Sequence, residues 1–539
     1  MKRYLFGRLA GLLLIQAVLL GMVSCKDDLT IGEDPYAGGK EPFGISFLKN
    51  YSDPEIAEPG SMVTFFVKGL KKHEGKFEFL INDSPVAIES VSDSTITIRV
   101  PEKVSSGFSM IRMDNQFFNG PAVYIEGNVS VDDNYNIVNG FNYSVQDILG
   151  HNGGHIVVGA FTNFENEAST TVFRNGFHYV NSLGKSDAAL NFQKGTMGTV
   201  YSINKQGSKY IASGLFSEFN KRKLNNIVRL NSDGKLDSMV VDVLNPTPER
   251  PLNGKDTVTA FNGGTFGGIT GGTFNMGDIL KSFPVTDNKV VAVGAFSYHY
   301  KVDYRYSSRE NRRTIITPVR SVLRFKEDGS LDSTYMINNV GVNGNILGAV
   351  MQEDEKLIMG GTFTTFNNLP ANRLVRLNSD GKIDPTFAVG SGPNGDIISI
   401  QYNPNIKKMV VTGRFTSFNG VPARGVVVLD KNGQVDPTFT MRNAGTGLIT
   451  FAHILNNGRI VLSGGITEYD GVKRSSLLIL NSNGEALQKY NNIGLFAGMV
   501  NSLVETTSSL GRPAILLGGD IFRVEKKLVR NIVKLEIKE

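Results

Sequence analysis

Residues 358–387 read IMGGTFTTFNNLPANRLVRLNSDGKIDPTF, and residues 410–439 repeat the phrase as VVTGRFTSFNGVPARGVVVLDKNGQVDPTF. In each copy an apolar run ends in Gly-x-Phe-Ser/Thr, and about twenty residues later a second apolar run ends in an Asp-Gly-type turn. The opening glycine recurs at Gly159, Gly214, Gly294, Gly361, Gly413, Gly464 and Gly518, giving intervals of 55, 80, 67, 52, 51 and 54 residues. A period near 52 with two long insertions, built from short strands, is what propeller blades require. Seven copies predict seven blades, with six or eight as the alternatives. The turn glycines and asparagines (Asp233-Gly234, Asp328-Gly329, Asp380-Gly381, Asn432-Gly433 and Asn483-Gly484) supply the positive φ of tight hairpins. The Gly-x-Phe glycine is expected where strands crowd and no Cβ fits, with the phenylalanine wedged between neighbouring sheets.

The seventh unit stops at Glu539 without its turn and last strand. A strand within residues 121–131 is therefore expected to close the ring and remove its open edge. The propeller is read as 128–539. Upstream, residues 41–127 hold short alternating runs such as Ser94-Thr95-Ile96-Thr97-Ile98-Arg99-Val100, ended by Pro101. Sixty glycines in 539 residues, and no long capped amphipathic helix in the mature chain, make the fold class all-β: a small immunoglobulin-like sandwich followed by a propeller.

The first 24 residues look like a secretory leader. Lys2, Arg3 and Arg8 precede an uncharged apolar run that stops at Met22-Val23-Ser24-Cys25. The run turns polar too early for a transmembrane helix. It resembles a bacterial lipoprotein signal, with Met22 where leucine is commonest, and this resemblance makes Cys25 the lipidated residue. Lys26-Asp27-Asp28 resembles the export signal that carries lipoproteins of Bacteroidota to the outer face of the outer membrane. Residues 25–40, rich in Gly, Pro and acid, read as a flexible tether. Cys25 is the only cysteine, so no intramolecular disulfide is available.

The order Pro-Gly-Ser-x-Val-Thr (from Pro59), Asn82-Asp83-x-x-Val86 and Ile96-Thr97-Ile98-x-Val100-Pro101 resembles the IPT/TIG immunoglobulin-like domain, whose members are mostly spacers or docking modules. The repeats resemble the delta-60 repeat family of β-propellers, through Arg376-Leu-Asn-Ser-Asp-Gly-Lys-Ile-Asp-Pro-Thr-Phe387 and Arg229-Leu-Asn-Ser-Asp-Gly-Lys-Leu-Asp237. The combination resembles the accessory lipoproteins of SusC/SusD-type outer-membrane nutrient importers, an analogy of architecture.

Charge excludes little except nucleic acid. The net +5 falls to +2 once the three basic residues of the leader are removed, and no long Lys/Arg run exists to neutralise phosphates. Residues 231–237 alternate oxygen-bearing side chains but lack the bidentate glutamate of a calcium loop. His151 and His155 sit on a Gly-Gly turn with no third ligand, so no metal is expected. The glycine-rich run 263–274 is followed by neither Lys-Ser/Thr nor a helix, so it does not read as a phosphate loop. No nucleophile elbow or triad is present, and the acids recur in register with the repeat. We expect no enzyme and no cofactor.

Function is expected on the insertions, which a repeat scaffold admits only as loops. The first is read as 242–276 and the second as 298–318. The second gathers Tyr298, Tyr300, Tyr304, Arg305, Tyr306, Arg309, Arg312 and Arg313, residue types that dominate interaction hot spots. It is a candidate partner or ligand contact, with local packing of a protruding hairpin as the competing reading. The leading expectation is an accessory, non-catalytic protein docking on an importer of oligosaccharides or peptides. An autonomous surface glycan-binding protein or adhesin is the alternative. Flat carbohydrate platforms favour tryptophan, and the absence of Trp favours docking. If Cys25 carries lipid, Cys25→Ala moves the protein from the membrane fraction to the soluble one; retention in the membrane after fractionation would exclude that anchor.

Overall fold

The computed structural model describes residues 42–244, 254–270, 273–308, 311–336 and 339–538. The leader, Cys25, Lys26, Asp27, Asp28, the tether and Arg309 lie outside the described residues. No α-helix occurs among those described; apart from two short 3-10 turns, the regular elements are strands. One sheet of the N-terminal sandwich orders Ser46–Asp53, Met62–Lys68, Thr95–Arg99 and Ala87–Val91. The facing sheet is built on Gln116–Ile125, Gly107–Met113 and Glu78–Ile81. Every second side chain of Met62–Lys68 and Thr95–Arg99 points inward, so Val63, Phe65, Val67, Ile96 and Ile98 share one core with Phe79, Ile111 and Val123.

The rest of the chain forms seven sheets in a ring. Their first three strands begin at Val145, Thr196, Lys281, Ile346, Ile397, Ile449 and Phe496, and we number the blades in that order. In the first six blades the fourth position is a single bridge, such as Leu377 to Ile383 in blade 4 and Leu429 to Val435 in blade 5. In blade 7 it is the strand Val129–Val131, antiparallel to Ile532–Ile537, with Val129 opposite Ile537. Of the stretch 121–131, the first five residues belong to the sandwich and only 129–131 enter the ring.

A glycine ends the second strand for a steric reason. A Cβ on Gly361 would lie 1.9 Å from the Asn345 carbonyl oxygen, and one on Gly413 2.1 Å from that of Asp396. In blade 7 the equivalent residue is Gly519, whose Cβ would meet the Met499 carbonyl oxygen at 2.1 Å; the repeat register shifts by one from Gly518. The phenylalanine two residues on is buried, and Phe363 and Phe415 each pack against side chains of the preceding blade.

Charge joins blade to blade. Arg376 sits 2.8 Å from Asp384, both side chains 3% exposed, and donates Nη1 to the Lys431 carbonyl in the turn of blade 5 at 2.6 Å. Arg324 pairs with Asp332 at 2.8 Å and reaches the Ser379 carbonyl of blade 4 at 2.9 Å. Arg229 pairs with Asp237 at 2.8 Å and reaches the Glu327 carbonyl of blade 3 at 2.7 Å. An aromatic ring caps each guanidinium: Phe387 at 4.7 Å, Tyr335 at 4.5 Å and Phe261 at 5.8 Å. Blade 7 uses Lys534, which donates to the Ser182 carbonyl of blade 1 at 3.0 Å. The aspartate and ring at the motif positions come from the other end of the chain: the Tyr135 ring lies 4.2 Å from Lys534 Nζ, while Asp132 donates its amide to the Lys534 carbonyl at 2.9 Å and turns its carboxylate to Ser509. Thus residues 129–135 complete both the sheet and the motif of the last blade.

Burial opposes the charge of Asp332, Asp384 and Asp436, but hydrogen bonds from Thr334, Thr386 and Lys408 outweigh it and hold all three below the ordinary carboxylate range. Their folded pKa values are depressed, so their stabilisation is complete above the unfolded value near ~3.9 and is lost as pH falls through the folded values. Arg376→Met leaves Asp384 with Lys356, at 3.2 Å, as its remaining cation. We expect destabilisation of about 3 kcal/mol in urea unfolding at neutral pH, the scale for breaking a buried pair. A loss below about 1 kcal/mol, typical of exposed pairs, would show the contact to be dispensable.

Candidate functional site

In the repeat, an Asp is followed three residues later by its aromatic ring, as in Asp384 and Phe387. In blade 2 those roles fall to Asp237 and Phe261, so residues 238–260 are inserted inside the motif. They form the hairpin Ser238–Asp242 with Lys255–Thr259, closed at its base by the Ala260 amide donating to the Asp237 carbonyl at 3.1 Å. The first insertion therefore begins earlier than residue 242, and Met239 and Val240 belong to it.

The second insertion leaves blade 3 after its second strand. Tyr298–Val302 pairs with Gly264–Phe266 on one side and Thr314–Pro318 on the other. Aromatic and β-branched residues favour this extended form. His299 Nε2 lies 3.3 Å from the Gly329 carbonyl oxygen, and Lys301 pairs with Asp328. Both contacts fall in the turn joining the third and fourth positions of blade 3, at the opposite end of its strands, so the hairpin runs along the outer edge of the blade. Its tip is a 3-10 turn, Tyr304–Tyr306, pinned by the Ser307 hydroxyl, which donates to the Asp303 carbonyl at 2.7 Å and accepts from the Arg313 amide at 2.9 Å.

The two insertions enclose one cleft of about 630 Å³. Met239, Val240 and Ile315, which are 43%, 64% and 44% exposed, give it apolar walls. Asn262 lines it too; its amide is within hydrogen-bonding reach of the Tyr304 hydroxyl, while its buried Oδ1 accepts from no protein group. Arg305 binds Asp303 at 3.0 Å and holds that carboxyl below its ordinary range. Burial works against the charge of Asp328, yet hydrogen bonds from Lys301 and Ser330 bring it down to about 2. The cleft thus offers apolar surface, a free acceptor and fixed paired charges.

The predicted loop residues separate into two groups. Tyr298 is half-buried and stacks on Phe266 at 5.1 Å, and Tyr300 is spent on packing, its phenol pushed up to about 12 by burial and accepting from the Asn225 amide at 3.2 Å. Tyr304 and Arg305 line the cleft. Tyr306, 57% exposed, stands at the tip with Arg305 at 5.6 Å and Arg313 at 4.8 Å, and Arg312 is exposed beside them. Met239, Val240, Asn262 and Ile315 were not singled out from sequence; the split motif between Asp237 and Phe261 was the signal that locates the first two. Of the histidine pair, His151 Nδ1 meets the Tyr210 hydroxyl, and His155 is buried, its pKa lowered to about 4 by burial. The central channel is narrow: all seven innermost strands or their approaches line about 300 Å³, where Lys281 pairs with Asp147 at 3.4 Å.

Fold and site together define an immunoglobulin-like sandwich joined to a seven-bladed propeller that carries an insertion cleft on its rim. Two family models match parts of the chain: DUF5008, a domain of unknown function, at residues 21–121, and DUF5122, a β-propeller domain of unknown function, at 208–238, 352–387 and 407–439. A comparison with curated proteins finds no match. Among solved structures the chain is similar to an auxiliary nutrient binding protein from Bacteroides ovatus, with 10% identity, 92% of this chain and 98% of that chain covered, and a TM-score of 0.31. One of the same description from Bacteroides thetaiotaomicron has 11% identity, coverage of 92% and 98%, and a TM-score of 0.28. YCF48 bound to D1 peptide has 8% identity, coverage of 76% and 96%, and a TM-score of 0.36. At TM-scores this low the likenesses carry no functional argument.

Proposed function

We propose that this chain is a non-catalytic, lipid-anchored protein of the outer-membrane surface, serving as an accessory binding or docking component of a SusC/SusD-type importer of oligosaccharides or peptides. The observation that carries the reading is the division of the side chains. The recurring aspartates Asp237, Asp332 and Asp384 are paired with Arg229, Arg324 and Arg376, and those arginines join blade to blade. What the ring does not use gathers in the insertion cleft and at the tip beside it, where Tyr306, Arg312 and Arg313 are exposed. Exposed tyrosine and arginine on a braced hairpin suit a partner contact. Cys25 and Lys26-Asp27-Asp28 support the membrane address, and the sandwich, placed between tether and ring, suits a spacer or docking module.

The test is to isolate the tagged lipoprotein from its native outer membrane in mild detergent, as wild type and with residues 303–313 replaced by a short Gly-Ser turn. We expect an importer of the SusC/SusD type in fixed ratio with the wild type and at least about tenfold less with the variant, at an unchanged melting temperature, as for loss of an interface hot spot. Recovery of the lipoprotein alone would overturn the docking role and favour an independent binder. Equal recovery with both forms would move the contact away from the hairpin.

A further inference from the structure

The joint between sandwich and propeller is built to a fixed geometry. The Ser106 amide and hydroxyl both donate to the Asn492 carbonyl, at 2.8 and 2.9 Å, and the Ser105 hydroxyl donates to the Lys473 carbonyl at 2.9 Å. Asn492 returns its amide to the Glu126 carbonyl at 2.6 Å. Gly494 fits only because it has no side chain, since a Cβ would lie 1.7 Å from the Ser106 carbonyl oxygen. Beside these contacts lies a pocket of about 500 Å³ with walls from both domains.

One residue of that pocket departs from the repeat. In five of the seven blades a backbone amide after this turn donates to a carbonyl seven residues earlier; the donors are Leu224, Ala371, Ala423, Arg474 and Val529. Leu224, Ala371, Ala423 and Val529 are buried and apolar, as the ring requires there. In blade 6 the position holds Arg474, half-buried and lining the pocket. Its Nη1 donates to the Asn491 carbonyl, but its buried Nε has no partner, and no carboxylate lies within ion-pair distance of it among the described residues. The motif arginines Arg229, Arg324 and Arg376 each have an aspartate, whereas Arg459, half-buried over the Tyr490 ring at 4.4 Å, also has no carboxylate within ion-pair distance among the described residues.

Three other charged residues line the pocket. Lys473 pairs with Asp83, the Glu525 carboxylate accepts from the Gly494 amide, and Arg523, exposed and with no carboxylate within ion-pair distance among the described residues, donates Nε to the Glu525 carbonyl at 2.7 Å. Phe108 and Leu495, 71% and 43% exposed, line the same pocket. Burial pushes Arg474 down to about 10, so it stays charged at neutral pH. A half-buried cation without a counter-ion is costly in a ligand-free protein, and a guanidinium is shaped to take a carboxylate through two parallel hydrogen bonds.

We infer that the joint between the two domains is a binding site for a small organic carboxylate with an apolar body, the carboxylate on Arg474 and the body against Phe108 and Leu495. This holds whether or not the protein docks on an importer, because it is tested on the isolated chain. The experiment titrates the full chain in mild detergent with 3-phenylpropanoate and with the neutral 3-phenylpropanamide, by calorimetry, in wild type, Arg474→Ala and Arg474→Lys. We expect the carboxylate to bind the wild type at least about tenfold more tightly than the amide, the scale of a charge-assisted contact. Arg474→Ala should abolish that preference while raising the ligand-free melting temperature, because alanine is what blades 4 and 5 place there. Arg474→Lys should retain part of the preference. Equal binding of acid and amide, no binding of either, or an undiminished preference in Arg474→Ala would overturn the proposal.

Discussion

Blades 2, 3 and 4 are fixed to their successors by an arginine that holds its own blade's aspartate with one nitrogen and the next blade's turn with another. Hydrophobic strands alone would stack blades with little to fix their angle. The guanidinium fork of Arg376 sets direction as well as energy, because Asp384 and the Lys431 carbonyl must both lie in its plane of donors. The aromatic ring three residues beyond the aspartate covers the pair. This unit accounts for the length of the repeated phrase, from the arginine of Val-Arg-Leu-Asn to the phenylalanine of Asp-Pro-Thr-Phe.

Where the unit is altered, the fold shows how. Blade 5 has Val428 in place of the arginine, and Asp436 turns to Lys408 at 2.6 Å. Blade 7 replaces the arginine with Lys534 and borrows Asp132 and Tyr135 from the segment that follows the sandwich. Ring closure is thus more than pairing Val129–Val131 with Ile532–Ile537. The first and last parts of the propeller are also joined where the Asp132 carboxylate accepts from the Ser509 amide at 2.9 Å and from its hydroxyl at 2.8 Å.

Much of the architecture is legible in the sequence. The Gly-x-Phe phrase counts the blades because its glycine answers a backbone constraint that recurs identically in each sheet, and alternation in Thr95–Arg99 marks a half-buried strand. The Arg–Asp pairs were not legible: Asp237 and Asp384 sit beside turn residues and read as turn chemistry, and their partners lie eight residues back. Asp132-Asp133-Asn134-Tyr135 carries the closing motif too degenerately to be seen without Lys534 beside it. Of the site, the hairpin from Tyr298 was visible as an insertion rich in Tyr and Arg. Which tyrosines are buried was not, because Tyr298 and Tyr300 are covered by Phe266 and by the Asn225 backbone, elements far from them in sequence.

The account divides the molecule into a repeat whose charges hold the ring and insertions free to meet a partner. Hydrogen–deuterium exchange of the full chain, compared between detergent and its native outer membrane, tests that division most directly. The account predicts that protection gained in the membrane falls on residues 238–260 and 298–318, while the innermost strands and the pairing of Val129–Val131 with Ile532–Ile537 exchange equally slowly in both. Protection gained at the repeat turns or in the channel, with both insertions unchanged, would contradict it.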